Sequence, residues 1–185
     1  MRWITYFILA YVTLGIQVGA GPFMRYQGAS PNLALLAVIF ITLNAPRDPA
    51  LLGAICLGFM QDLLTQQQPG LYALSYGLVG MFIVGTHNAV NRAHVLTHVT
   101  LALIGGLMTA AVLLVHSYLD PRLHPPAAAM IADGGAKLRA MRISPGLEFT
   151  RVIYTAALAP FVLGALQRIR KKFGFQPTRR TIKSW

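Results

Sequence analysis

Acid is the scarcest commodity in this chain. Only 5 of its 185 residues are Asp or Glu, charged residues of both signs make up 11%, and Cys56 is the single cysteine. One cysteine excludes a disulfide within the chain, and the apolar neighbours Ile55 and Leu57 suit a buried, inert thiol. So little charge excludes an ordinary soluble domain, which carries roughly 25% charged residues to cover its surface. No paired carboxylates, nucleophile elbow, phosphate-cradling glycine loop or triad spacing occurs, so the chain offers no visible catalytic chemistry. A proton or ion path normally needs more than one intramembrane acid, and Asp62 has no companion there. His94 and His98 stand four apart, but no Glu lies between them and no further acid or cysteine ligand is near. Neither a metal nor another cofactor is expected.

What is abundant is apolar. Hydrophobic residues reach 55% and the mean hydropathy is +0.56. The fold class expected is an all-α polytopic membrane protein, with transmembrane helices at about 3–20, 32–45, 50–65, 71–87, 95–117 and 148–166. The second and third runs fall short of the roughly 20 residues that cross a bilayer, so a re-entrant pair is the alternative there. The parity of the spans is the same either way. The run from Trp3 to Val18 is long for a signal-peptide core, and the small residues at Val18 to Ala20 fit a cleavage site loosely, so an uncleaved first span is expected. Trp3, Tyr6, Tyr72 and Tyr118 sit where interfacial anchors are expected.

The net charge of +11 is placed unevenly. Residues 167–185 hold seven basic residues and no acid, directly after the last apolar run. Such a cluster fixes orientation and meets anionic headgroups, and it argues against nucleic acid as the partner. With that tail inside, Arg2, Arg47 and Arg92 share its side, while Arg25, Arg122, Lys137, Arg139 and Arg142 lie outside. Four of those five fall in one long loop at about 118–147, a kind of segment that carries little orienting weight. Both termini are expected to be cytoplasmic, with a single transmembrane domain over 1–166 and a basic tail over 167–185. The long loop is expected to be either irregular or to hold a short interfacial helix over 126–143.

Residues 30–84 are the most informative. The helix-breaking Ser30-Pro31-Asn32 opens an apolar run, Ala45-Pro46-Arg47-Asp48-Pro49 turns the chain, and a second run carries Ala54, Gly58 and Asp62 four residues apart on one face. Small residues admit another helix closely, and an intramembrane acid needs an answering group. This face is expected to dock a partner's membrane helix. For Asp62 three roles stand open: an ion pair with Arg151 (Arg25 being the second candidate), a partner contact, or an interfacial residue. Gly105, Gly106, Ala102, Ala110, Ala73 and Gly77 are expected to pack internally.

These elements, in order, resemble the MreD family, the small membrane subunit of the bacterial rod-shape machinery. The resemblance rests on PNLALLAVIF from Pro31 and Asn32, the turn at Ala45 to Arg47, GAICLGFMQDLL, Gly70 before an aliphatic helix, and LQRIRKKF after the last helix. It implies a six-helix fold similar to the substrate-binding (S) components of energy-coupling-factor transporters, in the bacterial inner membrane. It also implies a non-enzymatic scaffold that binds the bitopic protein MreC and links actin-like MreB filaments to the wall glycosyltransferase and transpeptidase. The partner or structural positions so marked are Pro31, Asn32, Arg47, Ala54, Gly58, Asp62 and Gly70, with Arg151 as a charge partner. The alternative is a small-solute S component, which would need a cavity with converging polar groups. The polar intramembrane residues available for one are few, chiefly Gln17, Asn44, Asp62 and Ser75.

Overall fold

The computed structural model describes residues 3–26, 28–65, 69–86, 95–119 and 145–169. Among these, the regular structure is six α-helices: α1 Trp3–Ala20, α2 Leu33–Asn44, α3 Arg47–Leu64, α4 Leu71–Gly85, α5 Val95–Leu119 and α6 Pro145–Ile169. Each coincides with an apolar run expected to be helical. Arg2, Arg92, His94, nearly all of the long loop and the basic tail beyond Ile169 lie outside the described residues.

Local chemistry sets the boundaries. The Asn32 side chain accepts the Leu35 N–H at 3.0 Å and so caps α2. That helix stops at Asn44 because Ala45, preceding Pro46, is held extended. Pro49 falls in the first turn of α3, where the missing N–H would have had no intrahelical partner, and Asp48 beside it favours the positive end of the helix. The third helix ends where the Thr65 hydroxyl and N–H both bond to the Gln61 carbonyl. Gly70, at φ +102°, starts α4 from a left-handed conformation that side-chain-bearing residues rarely adopt.

All 12 residues of α2 are buried, and it touches every other helix. Its sequence allows this because it has no polar face. Thr42 donates back to Val38 and Ile39 carbonyls, and Asn44 donates to Phe40, so neither demands water. The closest partnerships around it are α3 with α4 and α5 with α6. Tyr6 and Tyr72, expected as interfacial anchors, are instead interior. The Tyr6 hydroxyl donates to the Gly53 carbonyl at 2.7 Å across the α1–α3 contact, and Tyr72, in the first turn of α4, is buried. Tyr118, by contrast, is exposed.

Outside, the surface is apolar on every helix except the central one: Tyr11 on α1, Leu63 on α3, Met81 on α4, Leu107 on α5 and Phe161 on α6 all point outward. Soluble monomers do not expose apolar surface on this scale. Leu96–Leu119 and Pro145–Arg168, 24 residues each, are long and apolar enough to cross a membrane. At 1.5 Å per residue they extend about 36 Å, whereas α2 extends only about 18 Å and is shielded from lipid by its neighbours.

Candidate functional site

Antiparallel succession brings the end of α1, the start of α2, the end of α3, the start of α4, the end of α5 and the start of α6 to one end of the bundle. The polar residues singled out in the sequence gather there. Asn32 is the hub. Its side-chain Oδ1 accepts from the Leu35 N–H and from the Tyr76 hydroxyl at 2.9 Å, and its backbone N–H donates to the Thr155 hydroxyl at 2.9 Å. Gln17 clips the flanking residues to α1, donating to the Pro31 carbonyl at 3.0 Å and accepting from the Leu33 N–H at 2.6 Å. One dipeptide therefore ties α2 to α1, α4 and α6. Pro31 contributes by what it lacks as well, since a proline has no N–H to satisfy in a buried turn.

Asp62 is buried on α3 and its partner is neither arginine considered. The carboxylate accepts three backbone N–H groups: Gly70 at 3.0 Å, Tyr72 at 2.9 Å and Ala73 at 3.0 Å. The physical reason is the short α3–α4 connection, which returns the chain so that α4 begins against the side chain of Asp62. Near the C-terminus of its own helix the charge is disfavoured, but at the N-terminus of α4 it meets the unbonded N–H groups and the positive end of the dipole. Arg151 is paired elsewhere. Its Nη1 donates to Glu148 Oε1 at 2.8 Å, one turn earlier on the same helix. Arg25 lies exposed in the turn after α1.

The Ala54–Gly58–Asp62 face is also corrected: α4 occupies it. A Cβ on Gly58 would stand 2.5 Å from the Tyr72 carbonyl oxygen and 2.6 Å from Ala73 Cα, both backbone atoms. One turn on, a Cβ on Gly80 would meet Ala54 Cβ at 3.1 Å. The small residues permit close approach as expected, but between two neighbours in sequence and not with a partner chain. The internal role expected of Gly77, Gly105 and Gly106 agrees with the structure, in which added carbons would press on Ile55, Val79 and Val152 respectively, and Ala73 lies against Gly58.

Arg47 stands apart from this cluster. It is exposed at the start of α3, at the opposite end of the bundle. Near that end His98 and Gln167 lie with ring Nε2 and amide Nε2 2.8 Å apart, joining α5 to α6. Sequence reasoning did not assign roles to Glu148, Tyr76 or Thr155. The Glu148–Arg151 spacing of three was a readable signal for an ion pair on one helix face. Tyr76 and Thr155 gave none, because their partners are 44 and 123 residues away.

Beside the hub, a small recess is bounded by Asn32, Tyr72, Thr109, Glu148, Arg151 and Thr155, with room for about one water. The drug- or vitamin-sized cavities of small-molecule sites run to roughly 300–1,000 Å³. This geometry builds a fastened helical bundle with apolar outer walls.

The family described as rod shape-determining protein MreD matches residues 1–121, which include α1 to α5 and every residue of the hub except those on α6. No curated protein and no solved structure matches the chain. A family match over more than half of the sequence, on a bundle fastened at Pro31-Asn32 and at Asp62, places this chain in the MreD family of membrane proteins that act in rod-shape determination.

Proposed function

We propose that this chain is a non-catalytic, multi-pass membrane scaffold of the rod-shape machinery, binding an MreC-like bitopic protein and helping position peptidoglycan synthesis. The observation that carries this reading is the combination of the MreD match with a packed helical core among the described residues. In this reading all six helices reside in the bilayer as one domain over 1–166, with an arrangement similar to transporter S components. The Asn32 end faces outward, and the basic tail over 167–185 meets anionic headgroups in the cytoplasm. MreB-like filaments would then lie on the tail side, and the wall glycosyltransferase and transpeptidase on the side of the Asn32 cluster.

The scale of the recess supports a scaffold over a solute-binding S component, since it offers a ligand little more than the space of one water. With the small-residue face of α3 closed by α4, a partner helix would engage an outward face of the bundle. Three experiments test the reading. Copurification of the full-length chain with its cognate bitopic protein from membranes should succeed, and depletion of the chain should turn rods into rounded cells. Failure of both overturns the scaffold. Reporter fusions at Trp185 and within 126–136 should show opposite sidedness, and matching signals from the two sites would rule out six spans with both ends inside.

A further inference from the structure

The recess beside Asn32 has a feature that packing alone leaves unexplained. The Arg151 Nε–H is buried and makes no hydrogen bond, while the Tyr72 hydroxyl stands against the same guanidinium. A buried guanidinium donor without an acceptor costs free energy that a well-packed membrane bundle has no reason to carry. Arg151 lines the recess, together with groups from three other helices. Thr109 spends its hydroxyl hydrogen on the Gly105 carbonyl at 2.9 Å, so its oxygen presents only lone pairs to the space around it. Glu148, which also lines the recess, is an acceptor when ionised. One unpaired donor, at least two acceptors and the volume of about one water meet the requirements of an ordered hydration site, which typically offers about three hydrogen bonds.

We propose that this recess binds one ordered water molecule, which accepts from Arg151 Nε–H and donates to Thr109 on α5 and to Glu148 on α6. The ligand is a neutral oxygen because the guanidinium charge is already balanced by Glu148 at 2.8 Å, so a second anion would leave net negative charge in a recess shielded on several sides by helices. The water's role is to join α5 to the first turns of α6, where direct side-chain bonds between the two helices are missing from this end among the described residues. It extends the Asn32 hub, which reaches α6 through Thr155, onto α5.

A pair of near-isosteric variants separates a hydration site from a dry void. Ala110 lines the recess, and Ala110→Val and Ala110→Thr add almost the same volume there. Threonine brings an oxygen that can replace the water, whereas valine brings only methyl groups and strands the Arg151 donor. The full-length protein in detergent, followed by thermal unfolding on size exclusion, should give the threonine variant a Tm higher than the valine variant by about 2–4 °C. A valine variant as stable as or more stable than the threonine variant overturns the proposal, because a dry void is stabilised by apolar filling. Overpacking lowers both variants alike and leaves the difference readable. A structure of the parent protein in a lipid nanodisc, at a resolution that shows waters, should place a single oxygen within hydrogen-bond distance of Arg151 Nε. An empty recess, or a lipid headgroup reaching into it, overturns the proposal equally.

Discussion

Removing the buried Asp62 carboxylate should cost this bundle more stability than removing an exposed charge such as Arg47. Asp62→Ala deletes three charge-assisted bonds and leaves three donors at the start of α4. Those donors are not equivalent. The Tyr72 N–H bond is buried, so its desolvation cost of about 1–3 kcal/mol stands in full. The bonds to Gly70 and Ala73 are only partly buried, so water can replace part of what they lose. Adding the loss of a helix cap, typically about 1 kcal/mol, the total is about 2–4 kcal/mol. For a chain of this length that corresponds to a fall of roughly 5–15 °C in Tm. Asp62→Asn keeps the shape but must turn an NH₂ donor toward one of the N–H groups, and it should fall between parent and alanine variant. Thermal unfolding in detergent gives the first measurement, and hydrogen exchange at the amides of residues 70–73 gives the second. An alanine variant with the parent's Tm, or unchanged exchange at those amides, refutes the capping argument.

Three further outcomes follow from the same geometry. Gly58→Ala should already lower the amount of protein in membranes, since its Cβ would lie 2.5 Å from a backbone oxygen, whereas Gly15→Ala, with nothing within 4 Å, should accumulate normally on immunoblots. Asn32→Ala should lose about 2–4 kcal/mol by releasing both the α2 cap and Tyr76, while Tyr76→Phe should lose only about 1 kcal/mol, both read as Tm shifts. In double-mutant cycles on Tm, Glu148→Ala with Arg151→Ala should be less than additive. Asp62→Ala with Arg151→Ala should add to within about 0.5 kcal/mol, and strong coupling there would restore the pairing that the structure replaces.

Much of the site was visible residue by residue, while its connections were not. Pro31, Asn32, Asp62 and Gly70 stand out in the sequence because each breaks an apolar pattern, and at one end of the bundle Pro31, Asn32 and Asp62 make the hydrogen bonds described above while Gly70 starts α4. The expectation for the Ala54–Gly58–Asp62 face had the right physics, close approach over small residues, and the wrong neighbour. Small residues state that something comes near, but a sequence pattern carries no label for which helix it is. For Asp62 the sequence leaves open an ion pair with Arg151 or Arg25, a partner contact and an interfacial role, and the structure instead gives the carboxylate the backbone N–H groups at the positive end of the next helix.

By itself the sequence determined the membrane-type composition, the six apolar helices, their approximate ends and the short turns between α2, α3 and α4. Those features depend on hydrophobic periodicity and on local stop signals such as Pro46 and Gly70, interactions that span only a few residues. Tertiary structure decided that α2 is the shielded centre, that Tyr6 and Tyr72 turn inward, and that Glu148, not Asp62, holds Arg151. It also brought Thr155 to Asn32 across 123 residues. An apolar helix can be soaked in lipid or enclosed by protein with the same sequence, because hydrocarbon and a protein interior are alike to a leucine. Only the packing of the remaining helices distinguishes the two.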